Sequence, residues 1–167
     1  MRRITTILVG LFGAASLLIG GAAIVSAHSS HALLEFDSMT PVTGGAVGTV
    51  NDRGIIGGGK PWVITAGSGE VDRNGSVHVS VSGLVIPIKP FFGTNPVNMF
   101  GATVSCLTPH GIVNLSTGTA PATSTGDATI DGVVTLPNPC KDPILFVTSP
   151  GGAWFAMSNR EDEEEGD

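Results

Sequence analysis

The two cysteines constrain the fold of this chain more than any other feature of its sequence. Cys106 lies near the end of an alternating segment, residues 98–107, and Cys140 lies in a Pro-Asn-Pro-Cys stretch between two further strand-like segments. Because the chain has no other cysteine, Cys140 is the only intrachain partner for Cys106. A bridge would close the loop between them and, in the chain-entropy model, stabilise the fold by about 3–4 kcal/mol. The sequence therefore predicts a disulfide that ties two strands together.

Apolar residues alternate with polar or small residues in several segments. In residues 98–107 the side chains of Phe100, Ala102, Val104 and Cys106 fall on one face, and residues 76–82 repeat the pattern with valine. A period of two is typical of a strand that packs one face on a core. We therefore expect one buried cluster to contain the apolar residues of these faces: Val77, Val79, Val81, Ala102, Val104 and Ile130.

Short strand-like segments separated by turn signals cover most of the chain, and no helical stripe is present after residue 27. They are residues 32–36, 62–67, 76–86, 98–107, 112–117, 127–136, 144–148 and 153–158, with a further short strand near residues 47–50. About seven or eight such strands predict an all-β, immunoglobulin-like β-sandwich, with a small closed β-barrel as the alternative. Asn74-Gly75 predicts a hairpin turn. Residues 87–96, with three prolines, predict an irregular crossover.

The N-terminal segment has the pattern of an export signal. Met1-Arg2-Arg3 is followed by an uncharged run, residues 4–25, and by small residues that end at Ala27. We predict that residues 1–27 are a signal peptide and that the protein is secreted. The alternative is a membrane anchor formed by uncleaved residues 4–25. Export also favours a disulfide over a zinc or redox role for the cysteine pair.

The mature chain is then expected to contain one β-sandwich domain, residues 28–160, and an acidic disordered tail, residues 161–167. The tail holds six of the 14 acidic residues, so the domain itself is close to neutral. Nucleic acid is not an expected partner, because the domain has no basic patch. We expect a monomer without a transmembrane domain after processing.

The glycine-rich segment, residues 43–61, predicts a long surface loop, since glycine loses the most backbone freedom when it is ordered. The candidate binding residues in and beside this loop are Gly57, Gly58, Gly59, Lys60 and Trp62. The spacing up to Lys60 matches a phosphate-binding loop, but Pro61 stands where that chemistry needs a hydroxyl. Trp62 is interpreted either as an exposed stacking platform or as a core residue, whereas Trp154 is expected in the core.

Few residues of the chain are candidates for metal binding or catalysis. Cleavage after Ala27 would place His28 at the terminus, where its amine and ring could chelate copper with a further imidazole from His31, His78 or His110. The alternative is a polar, mobile terminus, and no cofactor is then expected. Asp127 and Asp131 share a strand face and are expected to be solvated rather than a catalytic pair.

Several motifs resemble those of a family of small secreted bacterial β-proteins that has no assigned activity. The motifs are PVTG at 41–44, GGGKPW at 57–62, GTNPV at 93–97, VSC at 104–106 and FVTSPGGAWF at 146–155. The resemblance implies export and a single domain, and it implies no catalytic residues.

These observations predict a secreted, non-catalytic binding or structural module with an extracellular ligand or a cell-envelope component as its partner. Two alternatives remain. The first is a copper-dependent enzyme that uses His28. The second is an inhibitor of secreted peptidases that presents residues 137–143 next to the disulfide.

Overall fold

A computed structural model describes residues 31–159, which form two antiparallel sheets packed as a β-sandwich. The nine strands are β1 (Ala32–Phe36), β2 (Met39–Pro41), β3 (Ala66–Asp72), β4 (Ser76–Ser82), β5 (Met99–Thr108), β6 (Gly111–Pro121), β7 (Ala128–Val133), β8 (Lys141–Thr148) and β9 (Trp154–Ser158). The four-stranded sheet has the order β1-β3-β4-β7, and the five-stranded sheet has the order β2-β9-β8-β5-β6. The all-β sandwich is confirmed, and the sheets do not close into a barrel.

The strand order resembles that of immunoglobulin domains in one sheet more than in the other. The series β9-β8-β5-β6 follows the G-F-C-C′ order of a variable-type sheet. In the four-stranded sheet, by contrast, β3 and β4 are joined directly as a hairpin and lie side by side. Strands β3 and β4 therefore pair locally before the chain crosses to β5, whereas β1 and β2 lie in different sheets.

Most predicted strands are present, and two expectations were wrong. Residues 62–67 do not form one strand, because Trp62 turns into the core and Val63 makes only an isolated bridge to Val85. Residues 47–50 hold no regular strand either; a 3-10 turn, Gly44–Ala46, and a single bridge from Val50 replace it. Strand β2, three residues long, was not predicted.

The Asn-Gly turn predicted at residues 74–75 is confirmed as the β3–β4 hairpin. Gly75 adopts a φ of 91°, which is open to glycine and strained for other residues. The side-chain oxygen of Asn74 accepts the backbone N–H of Ser76 at 2.8 Å. This turn fixes the register of the hairpin, so Val77 and Val79 face the core and His78 faces outward.

Strand β5 is an interior strand of the larger sheet, between β8 and β6, and its middle is buried on both faces. Its inner face contributes Phe100, Ala102, Val104 and Cys106, all fully buried. All six residues predicted for the core belong to a single buried cluster. On the outer face Gly101, Thr103 and Ser105 are buried as well, although they are polar or small, so a further part of the chain must cover them.

The predicted disulfide between Cys106 and Cys140 is confirmed. Its Cα atoms are 4.9 Å apart, and it joins the end of β5 to the residue before β8. The two strands are neighbours in the five-stranded sheet, whereas the disulfide of antibody domains links the two sheets. We call this part of the sandwich the disulfide end. The opposite end, where residues 87–96 connect β4 to β5, is the crossover end.

Along residues 31–159 no helix has the length and apolar character needed to cross a membrane.

We predict that Val104→Asp unfolds the domain. Val104 is fully buried, and an unpaired buried carboxylate costs several kcal/mol against a typical stability of about 5–15 kcal/mol. The matched control is Val133→Asp, because the Val133 side chain is 74% exposed and such substitutions change stability by less than about 0.5 kcal/mol. Urea denaturation followed by circular dichroism measures both variants. Equal midpoints for the two would contradict the assignment of the core face of β5.

Candidate functional site

The glycine-rich segment is an ordered part of the sandwich rather than a free loop. Gly58 donates its N–H to the carbonyl oxygen of Trp154 at 2.8 Å, and Trp154 donates to Ile56 at 2.9 Å. The segment also pairs with itself through Gly48 and Gly58. Residues 56–58 therefore extend the edge of the five-stranded sheet beside the start of β9.

The outer part of the same segment, residues 51–55, lies over the outer face of the five-stranded sheet. The carbonyl oxygen of Arg53 accepts a hydrogen bond from Asn114 on β6, and its guanidinium binds the carboxylate and carbonyl of Asp142. Asn114 stands opposite Ser105 in the β5–β6 register, on the face away from the core. The side chain of Ile55, the last residue of this part of the segment, is also buried. This strap, residues 51–55, is the cover that buries the outer face of β5.

Trp62 is a core residue, so the hypothesis of an exposed stacking platform is wrong. Its side chain is 2% exposed, stacks on Phe155 with ring centroids 4.1 Å apart and meets Phe100 edge-on at 6.3 Å. Within the candidate binding set, Gly57 and Gly58 are also buried. Only Gly59 and Lys60 are exposed, so the candidate loop offers little surface to a ligand.

The burial of Trp154 is confirmed. Its side chain is 4% exposed and meets Phe146 edge-on, with ring centroids 5.8 Å apart.

The proposed copper ligands are not brought together in the described part of the chain. His28 lies outside the described residues, so its part of the hypothesis stays a prediction. His31 is exposed just before β1, and His110 is exposed in the β5–β6 turn. The Nδ1 atom of His78 lies 2.5 Å from a carboxylate oxygen of Asp131. Among residues 31–159 no three histidine, cysteine or acidic side chains are placed to hold a metal ion.

A row of ionisable side chains crosses the outer face of the four-stranded sheet. Directly opposed positions place Glu35 beside Glu70, Glu70 beside His78, and His78 beside Asp131. The row therefore crosses β1, β3, β4 and β7. Alternation alone predicts that these side chains point outward, but their alignment depends on the register of three strand pairs and has no signal in the sequence.

Asp127 holds the loop before β7 against the end of β4. Its carboxylate accepts hydrogen bonds from the hydroxyls of Thr125, Ser82 and Thr123 and from the backbone N–H of Gly83. These donors, with Thr125 the strongest, lower the pKa of Asp127 to about 2. Asp127 and Asp131 therefore have different partners and do not act as a pair.

A groove of about 390 Å³ lies at the disulfide end. We call it the disulfide groove, and its walls are formed by Leu33, Arg73, Leu136, Pro137, Asn138, Pro139 and Cys140. Arg73 supplies the only charge, and within the described residues its guanidinium makes no ion pair. The sequence pointed to residues 137–143 as an exposed inhibitory loop, but residues 141–143 belong to β8. No sequence signal pointed to Arg73.

No protein-family model matches this chain, and neither a curated protein nor a solved structure is significantly similar to it. The resemblance to small secreted bacterial proteins stays a prediction.

We predict that Gly57→Ala destabilises the protein whereas Gly59→Ala does not. A Cβ atom on Gly57 would lie 2.1 Å from the carbonyl oxygen of Ala46, but one on Gly59 would meet no atom within 4 Å. Overpacking of this kind costs about 1–3 kcal/mol. Thermal unfolding of the two variants measures the difference. The close packing of the glycine-rich segment requires the Gly57 variant to melt at a lower temperature, and equal melting temperatures would contradict this packing.

We predict that the stabilising effect of the Asp127 carboxylate depends on pH. Because its folded pKa is about 2 and an unperturbed aspartate has a pKa of about 3.9, the effect is complete above about pH 5 and is lost as the pH falls through 2. The free energy of unfolding of the wild-type protein minus that of Asp127→Asn should therefore be constant at neutral pH and shrink in acid. Urea titrations of both proteins across this range provide the test, and parallel curves throughout would contradict it.

Proposed function

We propose that this protein is a secreted, non-catalytic binding module and that its ligand site is the disulfide groove. The observation that carries the proposal is a concave site that combines apolar walls with a single guanidinium that has no ion-pair partner in the described chain. Small-ligand sites generally combine an apolar lining with a few placed polar groups in about 300–1,000 Å³. The groove has both kinds of group and lies near the lower bound of that size range.

The chemistry of the groove favours a small apolar molecule that bears a carboxylate. Arg73 can receive a carboxylate through two parallel N–H donors, which is the strongest geometry for such a pair. Leu33, Leu136 and the two prolines offer walls for an aliphatic or aromatic body. An uncharged apolar molecule would leave the guanidinium without a partner, and a small inorganic anion would leave the walls unfilled.

Both walls of the groove are held rigidly, which supports a binding role. Cys140 is fixed to β5 by the disulfide, and Arg73 lies in the β3–β4 hairpin. The N–H of Arg73 donates to the carbonyl oxygen of His31 at 3.0 Å, so the hairpin is also tied to the start of β1. A site that is already formed loses less conformational entropy when the ligand binds.

The state of the acidic side chains supports the non-catalytic part of the proposal. A general acid or base needs a pKa near the working pH, whereas the pKa of Asp127 is held at about 2. Asp131 lies against His78 on an open sheet face. The N-terminal pattern of residues 1–27 and the disulfide support export.

Binding of decanoate, a simple apolar carboxylate, tests the site. We expect saturable binding by isothermal titration calorimetry and a loss of affinity of about 10–100-fold in Arg73→Gln, because a hydrogen bond to a charged group contributes about 1.5–3 kcal/mol. Lys141→Gln is the matched control: it removes one exposed positive charge at the same end, but Lys141 does not line the groove.

Decanol provides the second comparison, since it keeps the apolar chain and lacks the charge. It should bind the wild-type protein no more tightly than decanoate binds Arg73→Gln. Equal losses in the Arg73 and Lys141 variants, or no saturable binding of decanoate, would contradict the proposed site.

A further inference from the structure

The crossover end carries an apolar projection that the sandwich does not use for its own packing. Residues 86–94, which we call the crossover tip, expose Phe92 by 66% and Ile88 by 43%. Phe91, by contrast, packs against the core and anchors the tip. Of these two neighbouring phenylalanines, Phe91 therefore belongs to the packing of the sandwich and Phe92 to its surface.

The tip is ordered by its own backbone. Phe91 and Phe92 donate their N–H groups to the carbonyl oxygen of Ile88, and Gly93 donates to Ile86. Thr94 donates its N–H to Phe91 at 3.1 Å and its hydroxyl to the same oxygen at 2.7 Å. These bonds hold Phe92 at a φ of 44°, a left-handed conformation that a phenylalanine adopts only when its surroundings impose it. The exposed ring is thus held outward at a conformational cost.

The backbone N–H groups around Phe92 are hydrogen-bonded within the tip. Pro87 and Pro90 have no N–H group, and residues 91–94 all donate within the tip. Backbone groups without partners are costly in an apolar phase. The tip avoids this cost for the N–H groups of residues 91–94.

The tip itself carries one charge, and this charge is positive. Residues 73–126 contain no aspartate or glutamate, and the next acid in the sequence, Asp127, accepts the N–H of Gly83. Lys89, in the tip itself, places its ammonium 5.8 Å from the centroid of the Phe92 ring. An aromatic ring with a lysine beside it suits the boundary between acyl chains and anionic headgroups, where the ring is buried and the ammonium stays at the surface.

We propose that the crossover tip inserts Phe92 and Ile88 into the surface of an anionic lipid bilayer, with Lys89 at the level of the headgroups. An exposed aromatic ring and an exposed aliphatic side chain beside one ammonium suit a deformable apolar phase with an anionic surface. This contact is separate from the disulfide groove. Strand β5, ten residues long, separates the two ends of the sandwich by about 30 Å.

Co-sedimentation with phosphatidylglycerol vesicles tests the proposal. The assay uses the chain from His28 onward, which keeps every described strand and the described core. The apolar run at residues 4–25 is left out because it would itself partition into lipid. We expect Phe92→Asn to lower the partition coefficient by about tenfold or more. Asparagine tolerates a positive φ, so this variant should keep the wild-type melting temperature.

Three further variants are the controls. Val133→Ser removes an apolar side chain that is even more exposed than Phe92 but lies on β7, so it should bind as the wild type does. Arg73→Gln should also bind normally, which separates this proposal from the ligand site in the groove. Lys89→Gln should weaken binding to phosphatidylglycerol while leaving the weaker binding to phosphatidylcholine unchanged.

Fluorescence of Phe92→Trp gives a direct readout. Trp62 and Trp154 are buried, so a blue shift on addition of vesicles would come from the tip. We expect the shift with phosphatidylglycerol vesicles. Absence of both the shift and the sedimentation, as expected of a tip that binds a protein instead, would overturn the proposal. Equal losses in Phe92→Asn and Val133→Ser would also overturn it.

Discussion

The burial of β5 on both faces is the constraint on which the rest of this structure depends. Its inner face packs against the four-stranded sheet through Phe100 and Val104, as in any sandwich. Its outer face carries Thr103 and Ser105, which stand opposite Phe146 and Ile144 of β8. The hydroxyl of Thr103 is bonded to that of Ser116 at 3.0 Å, and the strap crosses this face between β6 and β8. The polar residues of β5 are thereby kept away from water beside the buried ring of Phe146.

The close packing of the glycine-rich segment, residues 43–61, explains its composition. Gly57 passes so close to the carbonyl oxygen of Ala46 that no side chain fits, and Gly54 adopts a positive φ of 74°. The guanidinium of Arg53 reaches Asp142 at the start of β8. Truncation of either partner would leave the other charge poorly solvated, which is costly for a buried group. The glycines therefore allow the backbone to pack closely, and the segment that contains them is not a free loop.

The outer face of the five-stranded sheet is covered, whereas the outer face of the four-stranded sheet is open and carries the ionisable row. The two contacts that we propose lie instead at the two ends of the sandwich. The connecting segments there lie on a rigid scaffold, which is the arrangement that binding proteins commonly use. At the disulfide end the groove is held by a covalent bond and a tight hairpin. At the crossover end a hydrogen-bonded tip holds an aromatic ring in solvent. The two ends differ in shape and chemistry, so they suit different partners.

The sequence by itself determined the features that depend on neighbouring residues. Alternation predicted the buried faces of β4 and β5, Asn74-Gly75 predicted the hairpin, and the single cysteine pair predicted the disulfide. The tertiary structure alone decided which distant residues meet. Arg53 and Asp142 are 89 residues apart in the chain. The row from Glu35 to Asp131 exists only because the registers of three strand pairs place its members directly opposite one another. Trp62 shows the same limit, since an aromatic residue beside a glycine-rich segment is compatible with exposure or burial until Phe155 packs against it. Periodicity reports which face of a strand is apolar, whereas the register and the connections between sheets decide what that face touches.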